Sequence, residues 1–247
     1  MTALAATTTP TADQLIVDET TGDRTAGALA LISAPIGLLS LIAVLAAADW
    51  DAEIFETPTT LLAQGAGAAD GVRTAMVLDL VGYYALLVPA LLALRRHLAR
   101  RHPQLAHLGA TAGLAYLVTG AVGAAVLAVT WPLALDQIGA AGANEAAAVT
   151  ATFEAISEAV IFGLWNLLGS TAAAVWLIVT ARLTWSRRHG FAVLSAVVGT
   201  AGALDAIGVA LDAPGLSAVP LQIYLYGLLV WAAWLGRLLW RGRPLVP

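Results

Sequence analysis

Residues 74–94, TAMVLDLVGYYALLVPALLAL, decide the fold, because the stretch carries a single charge, Asp79, in an otherwise apolar run. About 20 such residues cross the ~30 Å hydrocarbon core of a bilayer as a helix. A carboxylate inside a spanning helix is rare and usually lies on a functional path. Pro89 falls within the same run, as Pro35 does in the first span, and each lacks the backbone donor a regular helix needs there, a kink that opens a cavity and an ordinary membrane proline being the two readings.

Five further segments have the same length and character, at 26–48, 108–130, 159–180, 191–211 and 219–239, the fifth of the six spans carrying Asp205. The whole chain agrees: hydrophobic residues make up 60% and charged residues 11%, and the mean hydropathy is +0.82. These values belong to a membrane protein. The expected fold is all-α, a polytopic integral membrane protein with a six-helix transmembrane bundle over 26–240.

Charge sets the expected orientation. The loop between spans two and three holds Arg95, Arg96, Arg100 and Arg101, that between spans four and five holds Arg182, Arg187 and Arg188, and the C-terminal end holds Arg237, Arg241 and Arg243. The opposite loops are acidic and carry only Arg73. The positive-inside rule then puts both termini in the cytoplasm. Residues 1–25, polar and Thr-rich with no apolar core of a secretory signal, read as a disordered cytoplasmic tail, and 241–247 as a short second one. The Ala, Gly and Arg bias without Lys points to a bacterial plasma membrane. The longest connection, 49–73, with its LLAQGAGAADG run, reads as a solvated linker, a partial lid being the alternative.

Several chemistries fall away. A net charge of -4, with all 12 basic residues Arg and no continuous patch, argues against nucleic acid. Cys 0 removes disulfides, iron–sulfur clusters and thiolate metal sites. His97, His102, His107 and His189 fall in or beside the Arg-rich loops, so no histidine pair lies within the spans for haem. No phosphate-binding loop, nucleophile elbow or zinc-protease helix is present. No metal and no cofactor is expected.

The candidate site residues are Asp79, Asp205, Glu158, Glu154, Asn166 and Tyr83. At about 1.5 Å of rise per residue, Asp79 and Asp205 both lie roughly 8 to 9 Å below the outer boundary. Glu154 and Glu158 share one helix face, with Asn166 about 12 Å deeper than Glu158. Tyr83, Tyr84, Trp131, Trp165, Tyr224 and Tyr226 fall at similar depths and suit the wall of an outward-facing pocket. Plainer readings stand beside these. Glu154 and Glu158 suit the amphipathic start of a helix, where the dipole favours carboxylates, and Trp131, Tyr224 and Tyr226 suit an interfacial belt. Gly109 and Gly113 form a small-xxx-small face, joined by Gly120, Gly123, Gly199 and Gly202, which signals close helix contacts.

The elements GVRTAMVLDLVGYYALLVPALLAL (71–94), EAVIFGLWNLLGSTAAAVWLIVTARL (158–183), FAVLSAVVGTAGALDAIGVAL (191–211) and YGLLVWAAWLGRLLWRG (226–242) resemble a bacterial membrane family, domain of unknown function 4386. The resemblance lies in an Arg opening span two, a Gly-rich fifth span with an acid near its outer end, and a Trp-Leu near the last helix. The chain departs from that pattern in lacking a Pro before span five and a Glu in the last helix. The resemblance implies a six-helix topology and no reaction.

Three functional readings follow. In the first, an acidic outward-facing intramembrane pocket binds or moves a small lipophilic or cationic molecule, with a homo-oligomer supplying further volume. In the second, the acids donate protons to a lipid or isoprenoid, as in compact terpene-cyclase-like membrane enzymes. In the third, the protein is a structural or regulatory membrane partner and the acids bond helix to helix.

Overall fold

The computed structural model describes residues 12–55 and 57–246, and among them the chain is helical with no strand. Six helices are long and apolar enough to cross a membrane. They are α1 (Ala12–Ala47), α2 (69–99), α3 (Pro103–Ile138), α4 (Ala143–Thr184), α5 (His189–Ala210) and α6 (Pro214–Trp240). Each packs on the next in sequence and α6 closes on α1, giving a ring of six in chain order. Short turns between α2 and α3, α4 and α5, and α5 and α6 enforce this order.

Proline shapes α2. Pro89 cannot donate to the carbonyl of Ala85, and the Val88 N–H takes that carbonyl instead. The helix therefore passes through a wide π turn at Leu80–Tyr84 and a tight 3-10 turn at Ala85–Leu87 before regular helix resumes at Val88. α4 carries a second wide stretch, Ala159–Gly169, without a proline. Such turns add a residue to one side of a helix and are frequent at functional sites.

The helices outrun the spans expected from sequence. α3 has 36 residues and α4 has 42, which at the helical rise is roughly 54 and 63 Å against a ~30 Å core. Their acidic ends project past the span and meet the connection 49–68. That connection is not the solvated linker expected from its composition. It forms 3-10 segments at Ala52–Phe55 and Pro58–Ala68, and Ile54 and Leu61 are each 1% exposed. They pack with Val44, Met76, Trp131, Leu135 and Phe153 in a second hydrophobic core. The apolar residues Ile54 and Leu61 outweigh the Gly/Ala run, and Gly65, at φ 60 and ψ -159, makes a bend that only glycine adopts easily. The connection is a folded cap.

Both tail expectations change as well. Residues 1–11 lie outside the described residues, but 12–25 continue α1 as helix. Asp23 anchors this extension: its carboxylate lies 2.8 Å from the Arg96 guanidinium and 2.7 Å from His97 Nε2. At the other terminus Leu245 and Val246 are buried in the main core, and Arg188 Nε donates to the Pro244 carbonyl at 3.0 Å. The C-terminal segment is docked on the bundle.

Candidate functional site

Inside the ring, beneath the cap, lies a cavity of about 100 Å³. Ser40, Leu41 and Val44 of α1 line it, with Met76, Asp79, Tyr83 and Tyr84 of α2, Tyr116, Gly120 and Trp131 of α3, Ile161, Trp165, Asn166 and Gly169 of α4, and Leu221, Tyr224 and Leu225 of α6. Ile54 of the cap adds to the lining. Both π stretches face it, supplying Tyr83 and Tyr84 from one helix and Ile161, Trp165, Asn166 and Gly169 from the other.

Glycines make the room. A Cβ at Gly120 would land on the Tyr84 ring and one at Gly123 on the Trp165 indole, while Gly113 faces Trp176. The small-residue face of α3 is therefore covered by rings from its neighbours rather than by a second backbone. Backbone contact occurs elsewhere, at Gly82 against Gly37 and at Gly27 against Gly236.

Asp79 is 8% exposed and its Oδ2 has no hydrogen-bond partner. The Tyr84 ring, buried at the same wall, packs edge-on against Tyr116 with centroids 5.6 Å apart. The Tyr83 hydroxyl, also buried and facing the cavity, has no partner either. Such orphaned groups are uncommon in folded proteins, since each forfeits about 1–3 kcal/mol of desolvation energy. Three other polar groups at the wall are served: Ser40 Oγ donates to Ala75 O at 3.0 Å, Trp131 Nε1 to Ser157 Oγ at 2.8 Å and Trp165 Nε1 to Gly120 O at 3.2 Å.

Asp205 is placed differently. It is fully buried, accepts from Ser170 Oγ at 2.9 Å and from Ser217 Oγ, and so joins α4, α5 and α6. It does not line the cavity, and α5 contributes no residue to that wall. Tyr224, at the cavity wall, packs edge-on against the Tyr116 ring with centroids 6.4 Å apart.

The structure thus brings Asp79, Tyr83 and Asn166 to one cavity, leaves Asp205 out of its wall, and puts Glu154 and Glu158 on the exposed face of α4. Trp131 and Tyr224, expected at an interfacial belt, are 3% and 5% exposed and point inward, whereas Tyr226 is 50% exposed and faces out. Tyr116 and the serines at 157, 170 and 217 carry no mark as isolated letters. For Tyr116 a signal existed: it falls on the same face as Gly109, Gly113, Gly120 and Gly123, all buried along α3. Among the described residues no group of three or more His, Cys, Asp or Glu side chains is placed to hold a metal. No family model matches the chain, and no curated protein and no solved structure is significantly similar to it.

Proposed function

We propose that this is a multi-pass protein of a bacterial plasma membrane, with its Arg-rich end in the cytoplasm, that binds or moves a small lipophilic or cationic molecule through the cavity under the cap. The kinship with the family of domain of unknown function 4386 belongs to the same proposal. One observation carries the reading: two polar atoms, Asp79 Oδ2 and the Tyr83 hydroxyl, are buried without partners at the wall of a mostly apolar cavity. Pockets of this make-up, apolar with a few convergent polar groups, are the usual form of small-molecule sites. A purely structural role fits Asp79 less well than Asp205, which bonds helix to helix with both oxygens engaged, whereas Asp79 Oδ2 has no partner.

The chain contains no cysteine, so a single one reports cleanly on access. Met76→Cys, at the cavity wall, is expected to react with methyl methanethiosulfonate added to intact cells, and to react faster when Ile54→Ala opens the cap. A thiol that stays unreactive in both backgrounds means a sealed core and defeats the reading. Reporter fusions test the orientation: one after Arg101 is expected to read as cytoplasmic and one in the cap as external, and the reverse result overturns it.

A further inference from the structure

We propose that the cavity takes a protonated amine, a primary or secondary ammonium group carried on a compact apolar body. This rests on the reading above and narrows its ligand.

Charge comes first. Among the described residues that line the cavity, Asp79 is the only ionisable acid or base other than the tyrosines, and no Arg or His is one of them. Arg73, the nearest basic residue in sequence, reaches Asp70 at 3.1 Å on the exposed start of α2. A carboxylate buried without a counter-charge is unfavourable, and a cation entering the cavity relieves that.

Hydrogen-bond valence narrows the cation. Asp79 Oδ2 needs a donor and the Tyr83 oxygen is free to accept. An ammonium with N–H groups serves both. A quaternary ammonium brings charge but leaves Oδ2 without a donor. A hard metal ion asks for about six oxygen ligands, carboxylates foremost, whereas Asp79 is the one carboxylate among the described residues of the wall, where six Tyr and Trp rings stand among aliphatic side chains. Rings of this kind, Tyr84, Tyr116, Tyr224, Trp131 and Trp165 among them, are the side chains whose π faces attract an organic cation.

Size narrows the body. A volume of about 100 Å³, with Ile54 of the cap in its lining, suits a single small ring or a short alkyl chain. The apolar side chains of Met76, Ile161 and Leu225 give such a body its contact surface.

The test uses the full chain in detergent, with benzylamine and its neutral isostere benzyl alcohol as probes at neutral pH. Fluorescence of Trp131 and Trp165, both at the wall, reports occupancy, and thermal unfolding gives an independent reading. Benzylammonium is expected to bind roughly ten-fold or more tightly than benzyl alcohol, because its bonds to the carboxylate are charge-assisted. Asp79→Asn is expected to abolish the difference and Tyr83→Phe to reduce it. If the two probes bind the wild type equally, the ammonium inference fails while the cavity reading stands. If neither binds, both fail together. Should Asp79→Asn not fold, the comparison of the two probes on the wild type still decides.

Discussion

Asp79 and Asp205 occupy equivalent places in the sequence, each an isolated acid near the acidic end of an apolar helix, and the fold treats them in opposite ways. Asp205 is fully buried and receives two serine hydroxyls from the helices on either side. Asp79 is nearly as buried, faces a cavity and keeps one oxygen without a partner. Depth in the membrane therefore says little about an acid's role. What separates a structural acid from an available one is whether its neighbours already fill its hydrogen-bond capacity.

The largest expected effect is on the structural side. Asp205→Ala removes the acceptor of two hydroxyls on different helices and leaves a void, so a loss of about 2–4 kcal/mol is expected, read as an early thermal transition in detergent. Asp79→Ala, which deletes a group already lacking one partner, is expected to lose under about 1 kcal/mol. Equal losses would erase the distinction.

Gly120→Ala strikes the Asp79 side without touching a charge. Its Cβ would overlap the Tyr84 ring, which must shift within the cavity wall. A loss of roughly 1–3 kcal/mol is expected from overpacking, together with a change in Trp165 emission as the wall shifts. A variant as stable as the parent, with unchanged emission, would mean that the ring has room to move.

The smallest effects are the sharpest. Ser217→Ala removes one of two donors to Asp205 and is expected to lower stability by about 1 kcal/mol. Tyr83→Phe deletes an unpartnered hydroxyl and is expected to leave stability unchanged or slightly raised. A clear loss in the Tyr83 variant would reveal a bonding partner and remove half of the basis for a ligand site.

The six helices were legible because hydrophobic length is a property of contiguous residues, and the acids stood out because so little else in the spans is polar. The cap was not, since Ile54-Phe55 and Leu61-Leu62 are two short apolar pairs in a loop of mostly small and polar residues. The burial of Ile54 and Leu61 depends on the projecting ends of α3 and α4, which sequence does not position. The division between the two acids was hidden for the same reason. Ser170 and Ser217 lie 35 and 12 residues from Asp205 and meet it only once the ring closes in chain order. Asn166 and Tyr83 reach the cavity through the π stretches, whose register regular helical spacing does not give. Tyr226 shows the converse, placed among the ring candidates by depth yet facing outward.

A double-substitution cycle on the two acids tests the central claim most directly: thermal unfolding in detergent of Asp79→Asn, Asp205→Asn and the pair. Each change keeps the shape and removes the charge. The expected result is an Asp79→Asn protein that unfolds with the wild type, an Asp205→Asn protein that unfolds earlier, and a double variant whose loss equals the sum within about 0.5 kcal/mol. If instead both single variants unfold early and the double loses no more than either one, the two carboxylates act as one structural unit, and the assignment of Asp79 to a ligand is wrong.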